Sequence, residues 1–288
     1  MPAELCYLNG RVLPLADAAI SPFDRGYNFG DGVYEMIRVY GGVSFGLDEH
    51  LERLFRSARA IDIQPRLTLD EYRDLIEALV RQSGMPEAHV YGQLTRGVAP
   101  RNHVCADDVK AADFWCVKSA GPAPTVGRRI LSVEDDRWNR CHIKTICLLP
   151  NVLAKRRAAR AGADEAFFVL PESNIVTEGA ASNAFAVKNG VIYTHPTGSK
   201  VLAGVTRKML LELAQEQGIE TVEEGKTLDF FRDADEVWMS STTLELQPIL
   251  ELDGRPVGNG QVGPVAIQLR EAYSERVQAM SERAALRA

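Results

Sequence analysis

No apolar run in this sequence approaches the ~20 residues needed to cross a bilayer. Its opening, MPAELCYLNGRV, lacks a basic head followed by an apolar core. Neither a signal peptide nor a membrane span is therefore expected. Cysteine is scarce and odd in number: Cys6, Cys105, Cys116, Cys141 and Cys147 form no C-x-x-C pair and have no histidines beside them at metal-ligand spacing. This argues against a disulfide frame and against zinc, with no metal expected, and it points to a reducing, cytoplasmic setting. Basic excess is missing as well. With 33 lysines and arginines against 39 acidic residues, the net charge of −6 gives no global field for nucleic acid or an anionic membrane. Neither a G-x-x-x-x-G-K-[ST] loop, a G-x-S-x-G elbow nor an H-E-x-x-H helix occurs, which leaves nucleotide binding, serine hydrolysis and zinc proteolysis poorly supported.

What is present is an ordinary globular composition, 45% hydrophobic and 25% charged over 288 residues, enough for two modest units. Strand-like alternation marks Leu5 to Leu8 and Val33 to Tyr40, and Gly41-Gly42 turns the second run into Val43 to Phe45 as a hairpin. Leu47, Leu51, Leu54, Phe55, Ala58 and Ile61 recur at helical spacing, with Glu49, Glu52, Arg53, Arg56 and Arg59 on the polar positions. Thr68 and Glu71 form a capping-box pattern before a second helix, which Gly84 would close. Strands follow at His89 to Thr95 and Phe114 to Val117.

The breaker-rich segment SAGPAPTVG suggests a domain boundary, with an N-terminal domain over 1–118, a linker over 119–127 and a larger C-terminal domain over 128–288. Beyond it the spacing predicts helices from Pro150 to Ala161, from Thr206 to Gln217 and from Val265 onward. Strands are predicted at Arg129 to Val133, Glu165 to Leu170, Asn183 to Val187, Val191 to His195, Glu236 to Ser240 and Pro248 to Leu252. Strands and helices without strict βαβ alternation favour two α+β domains over a doubly wound sheet.

A few residues stand out chemically. Lys144, in RCHIKTICLL, has Ile143, Ile146, Leu148 and Leu149 around it, company that favours a neutral amine able to attack an aldehyde. A lysine snorkelling to water from a strand end fits the same pattern. Glu178 sits in the turn-like VTEGAASN stretch before an apolar strand, where a fixed carboxylate could hold a protonated ring nitrogen, or simply lie at the surface. Gly204, Val205 and Thr206 open a helix whose N–H groups favour an anion. The hydroxyl run Ser240, Ser241, Thr242 and Thr243 ends a strand, as in an ordinary polar turn or a phosphate site. Arg53 could add a guanidinium. Arg101 and His103, two residues apart in LTRGVAPRNHVCA, could converge on one carboxylate if the loop is held, or remain a solvated basic loop.

Taken together, DRGYNFGDGVYEMIRVY, EHLERL, LTRGVAPRNH, HIKTICLLPNVLAK, VTEGAASNAF, LAGVTR and SSTTLELQPILELDG resemble, in order, the blocks of the fold-type IV (branched-chain aminotransferase-like) pyridoxal-phosphate-dependent enzymes. The likeness runs from about Asn9 to Gly254 and is greatest to the D-amino-acid aminotransferases. It implies a two-domain α+β architecture and pyridoxal 5'-phosphate as cofactor, held by a larger C-terminal domain with most of the contacts. Lys144 would match the lysine that holds the cofactor's aldehyde covalently and later moves the proton. Glu178 would pair with the pyridinium nitrogen; Arg53, Val205, Thr206 and Thr242 would bind phosphate; Leu202 would pack on the ring; Ser241 would supply a hydroxyl. Tyr34, Arg101 and His103 would trap the substrate carboxylate, the last two reaching in from the second subunit of a homodimer.

The implied reaction is ping-pong transfer of an amino group from a D-amino acid, such as D-alanine, to a 2-oxo acid, such as 2-oxoglutarate. Branched-chain L-aminotransferases and aminodeoxychorismate lyase share the Lys144, Glu178 and GVT features, and a silent cofactor-binding protein is the remaining alternative. The RGVAPRNH loop resembles the D-specific enzymes, whereas Arg38 stands where lysine is expected in that group and arginine in the branched-chain group.

Overall fold

In the computed structural model, residues 4–124 and 126–285 are described. They divide into two units. The first comprises the described residues up to Pro122, the segment Ile143–Cys147 and the described residues from Val277 onward; the second comprises the described residues from Ala123 to His142 and Leu148 to Arg276.

The first unit holds β1 (Leu5–Leu8), β2 (Arg11–Pro14), α1 (Arg25–Phe29), β3 (Gly32–Tyr40), β4 (Val43–Ser44), α2 (Leu47–Arg59), α3 (Leu69–Ser83), β5 (Ala88–Thr95) and β6 (Ala112–Ser119). Its six strands run in the order β2-β1-β6-β5-β3-β4. The two-residue period of a strand puts Val33, Ile37 and Val39 of β3 on one face, and these join Val90 and Leu94 of β5 in a core with Leu51, Leu54, Tyr72 and Ile76 of the helices. Each such fully buried aliphatic side chain contributes about 2 kcal/mol. The Thr68–Glu71 capping box and the left-handed Gly84 bound α3 as the sequence implies. α1 ends at Gly30, whose φ of +67° suits glycine and whose added Cβ would stand 2.5 Å from the Cys147 sulfur.

The second unit holds β7 (Arg128–Glu134), α4 (Leu149–Arg160), β8 (Glu165–Val169), β9 (Val176–Gly179), β10 (Asn183–Lys188), β11 (Val191–Thr194), α5 (Val205–Glu216), β12 (Thr221–Glu223), α6 (Leu228–Arg232), β13 (Glu236–Ser241), β14 (Glu245–Leu252) and β15 (Arg255–Pro256). Eight strands run β12-β11-β10-β13-β14-β7-β8-β9, and β15 pairs with β14. β7 and β8 are parallel and joined through α4, the rest of the sheet being mostly antiparallel. Phe167, Val176, Ala184, Ala186, Val237, Met239 and Ile249 form a core on one face. Helix α7 (Pro264–Ala285) begins in this unit. No helix among the described residues is long and apolar enough to cross a membrane.

Three expectations need correction. The C-terminal domain does not hold all of residues 128–288, because Ile143–Cys147 pairs its backbone with β3 and the described residues from Val277 onward also group with the first unit. Within the expected linker 119–127 the division falls after Pro122; Thr125 lies outside the described residues. Glu178 is not in a turn. It lies in β9, all four of whose residues are buried, a strand too short and polar for alternation to reveal.

Candidate active site

In the first unit Lys144 is pinned through its backbone. Its N–H donates to Ser57 Oγ at 3.2 Å, and its carbonyl accepts from the Tyr34 N–H at 3.0 Å. Thr145 bridges to Val33, and its hydroxyl donates to the Gly32 carbonyl at 3.0 Å, while the Ile146 N–H donates to the same carbonyl at 3.1 Å. The Lys144 side chain is half-buried, and its Nζ lies 4.2 Å from the centre of the Tyr34 ring. An amine held over an aromatic face has a defined direction of approach. Tyr34 and Lys144, singled out from the sequence, thus meet.

Arg53 departs from its expected place. It occupies a polar position in the helical pattern, yet it is 4% exposed. The reason is Glu35 of β3, which accepts from Arg53 Nε and Nη2 at 2.8 Å each, with His50 Nδ1 2.7 Å from the same carboxylate. Burial alone would raise the Glu35 carboxyl, but Arg53 and then His50 overcome it and hold the group well below the usual carboxylate range. Burial pushes the His50 ring below its ordinary value despite Glu35, so the ring favours the neutral form. Such a fork gives the Arg53 guanidinium one orientation. Glu35 and His50 lie within the quoted blocks, but no spacing there pairs them with Arg53.

Arg101 and His103 are exposed on the loop between β5 and β6. The loop is tethered, because Arg25 donates from Nη1 to the Asn102 carbonyl at 2.5 Å and from Nη2 to the His103 carbonyl at 3.0 Å. Arg25 is itself fixed by Asp31 at 2.9 Å, and Arg96 grips the same carboxylate. Phe29 packs against both side chains, with the Arg101 guanidinium 5.3 Å from its ring centre and the His103 ring 5.5 Å away. Arg25 thus supplies the hold on the loop that convergence of Arg101 and His103 requires.

In the second unit the Glu178 carboxylate is buried and held on both oxygens. Oε1 accepts from Arg137 Nη1 at 2.5 Å, and Oε2 accepts from the Leu202 N–H at 3.0 Å and the Asn183 amide at 3.2 Å. Burial pushes its carboxyl up to about 7, against the opposing pull of Arg137 and the Leu202 amide. A group so poised becomes an anion readily when a cation arrives beside it. Leu202 therefore has a backbone role toward Glu178.

α5 opens at Gly204 without a side-chain cap, leaving the amides of the buried Val205 and Thr206 at its positive end. A Cβ on Gly204 would stand 2.0 Å from Asn183 Oδ1, so the backbone there lies close against β10. Directly opposite Asn183 in the ladder is Ser240, whose buried hydroxyl has no partner among the described residues. Ser241 Oγ accepts from the Leu244 N–H at 3.2 Å and so closes its own turn, while Thr242 is half-buried beside it. A capless helix start, an orphaned hydroxyl and a buried carboxylate suit a ligand with one anionic group and one cationic ring nitrogen. Lys144 and Arg53 belong to the first unit, Glu178, Leu202, Val205, Thr206, Ser241 and Thr242 to the second.

Comparison with known proteins agrees with this chemistry. Residues 32–252 match the family described as amino-transferase class IV. A D-alanine aminotransferase of Staphylococcus aureus strain MW2 is 42% identical over 282 residues, covering 96% of this chain and 99% of that protein. One from Staphylococcus haemolyticus is 41% identical, with 96% and 98% covered. Among solved structures, the branched-chain aminotransferase of Thermoproteus uzoniensis with norvaline superposes with a TM-score of 0.89 at 27% identity, covering 98% of this chain and 97% of that one. A second branched-chain amino acid aminotransferase, complexed with N-(5'-phosphopyridoxyl)-L-glutamate, gives 0.85 at 29%, with 96% and 94% covered. With the family match spanning most of the sequence and relatives above 40% identity along nearly all of it, the chain belongs to the class IV aminotransferases.

Proposed function

We propose that this protein is a pyridoxal 5'-phosphate-dependent aminotransferase that moves the amino group of a D-amino acid, such as D-alanine, to a 2-oxo acid, such as 2-oxoglutarate, by a ping-pong mechanism. The observation that carries the choice of D-substrate is the near-full-length identity to D-alanine aminotransferases, since the fold is shared with branched-chain enzymes. When bound, the cofactor supplies an aldehyde that exchanges amino groups and a protonated ring that accepts the electron pair left as the α-proton departs. With the cofactor bound, the Lys144 amine would hold its aldehyde and, once freed, would move the substrate's α-proton. Glu178 keeps the ring nitrogen protonated. Val205, Thr206 and Thr242 hold the phosphate with Arg53, Ser241 offers a hydroxyl, and Leu202 packs on the ring face. Tyr34, Arg101 and His103 grip the substrate carboxylate, and the face of Cα so presented to Lys144 sets the enantiomer.

The protein acts in this reading as a cytoplasmic homodimer, with Arg101 and His103 serving the partner's site. Support comes from five free cysteines and from the exposed Phe23, Tyr27, Val98 and Val104 in the first unit, the two most exposed being 78% and 79% open. The deciding assay offers D-alanine or L-leucine with 2-oxoglutarate and resolves the product's chirality. Transfer from D-alanine is expected. Transfer from L-leucine alone would assign the protein to the branched-chain group, and pyruvate released from aminodeoxychorismate would make it a lyase.

A further inference from the structure

Arg137, three residues beyond the end of β7, is almost fully buried, and every one of its contacts fixes its direction. Asp135 takes the guanidinium side-on, with Nε to Oδ1 and Nη2 to Oδ2 both at 2.9 Å. Nη2 also donates to Thr177 Oγ1 at 3.2 Å and to the Lys200 carbonyl at 3.0 Å, and the Phe168 ring centre lies 4.1 Å from the guanidinium carbon. Asp135 is held in turn by the Thr177 hydroxyl at 2.9 Å. That leaves Nη1, which is aimed at Glu178 Oε1.

The charges do not cancel. Two carboxylates, Asp135 and Glu178, face one guanidinium. The Cys141 thiol nearby is pushed up by burial and stays neutral; the charge of Lys200 acts on that thiol, while toward Arg137 Lys200 presents its carbonyl. Asn183 and the Leu202 amide complete the groups facing Glu178, and both are neutral donors. Ionised throughout, the Asp135, Arg137 and Glu178 triad carries one negative charge in excess inside the protein, an arrangement that is costly unless a cation completes it.

Resting on the aminotransferase reading above, we propose that Arg137 is a positioning residue for the cofactor: locked by Asp135, it fixes the plane of the Glu178 carboxylate and favours its anionic form, so that the cluster offers a single buried negative charge to a protonated ring nitrogen. Without the guanidinium, Glu178 would be buried among neutral donors and would take up a proton. A neutral carboxylic acid no longer favours a ring N–H cation over an uncharged ring.

The test is a binding measurement on cofactor-free protein at neutral pH, using pyridoxal phosphate and an analogue with carbon in place of the ring nitrogen. The wild type should prefer the nitrogen-bearing compound by about tenfold or more, equivalent to about 1.4 kcal/mol. Arg137→Met should bring that preference to within about twofold while leaving affinity for the carbon analogue within about twofold of wild type, and Arg137→Lys should restore part of it. Because Arg137→Met strands Asp135, the double variant Asp135→Asn/Arg137→Met carries the same expectation without a buried unpaired carboxylate. A preference retained in either neutral variant overturns the proposal, as does a parallel fall in affinity for both compounds, the mark of a merely structural role. A wild type that binds both compounds equally overturns this proposal alone, whereas one that binds neither removes the aminotransferase reading and this proposal with it.

Discussion

Tyr34 and Lys144 are joined twice, by the Tyr34 amide donating to the Lys144 carbonyl at 3.0 Å and by the Lys144 Nζ lying 4.2 Å from the centre of the Tyr34 ring. One contact fixes the backbone and the other directs the side chain. Lys144→Ala should abolish turnover and the yellow colour of purified protein together. Tyr34→Leu keeps the backbone bond and removes the ring face, so kcat should fall by about 2- to 30-fold, matching a contact of about 0.5 to 2 kcal/mol. Steady-state kinetics check both, and an active Lys144→Ala protein would remove that lysine from the chemistry.

Glu178 gives a pH signature in the cofactor-free protein. Its carboxyl stands at about 7 in the folded state against 4.5 unperturbed, so the folded chain keeps a proton that the unfolded chain releases. The stability this group contributes is complete below the unfolded value and is lost as pH rises through the folded one. Glu178→Gln cannot ionise, so relative to wild type it should gain up to about 3 kcal/mol between roughly pH 5 and pH 8. Thermal melts of the two proteins across that window measure the gap, and a gap that does not change with pH would contradict it.

Glu35 has the opposite sign. Its carboxyl is held below the ordinary range, so its contribution is present above the unfolded value and disappears as pH falls toward the depressed one. Glu35→Gln leaves Arg53 buried beside a neutral amide and should cost about 3 to 5 kcal/mol near neutral pH. The difference from wild type should narrow on acidification. Denaturant unfolding at two pH values reads this directly.

The Arg25 tether separates holding from chemistry. Arg25→Met frees the Asn102 and His103 carbonyls, so KM for the amino acid should rise while kcat changes little. Arg101→Ala should raise KM more steeply, by about 2 to 5 kcal/mol of lost carboxylate binding, with the cofactor spectrum nearly unchanged. An unaltered KM in Arg101→Ala would take that residue out of the substrate trap.

Much of this was legible in the sequence because it is local. The Thr68 and Glu71 box, Gly84 and the aliphatic stripe of α2 each act within one or two helical turns, and the structure carries all of them. The burial of Arg53 is not legible there, because the helical pattern shows only which side a residue occupies; its partner Glu35 lies 18 positions back on a strand. Likewise the pairing of Arg137 with Glu178 spans 41 positions and involves no periodic signal. Glu178 itself was found through a motif but assigned to a turn, since four buried residues ending in glycine offer too little alternation to declare a strand. Long-range charge pairing is invisible to spacing, and here it orients both Arg53 and Glu178.

The polypeptide leaves the first unit after Pro122, returns for Ile143–Cys147, departs again, and re-enters along α7 at Val277. Lys144 is thus delivered to the N-terminal unit by a stretch encoded downstream of the linker. A gene cut at that linker would separate the β5–β6 loop from the Ile143–Cys147 segment of the same unit. Exchange of the two halves between relatives, as independent modules, would therefore split the first unit across two parents, and only whole-gene inheritance keeps it intact.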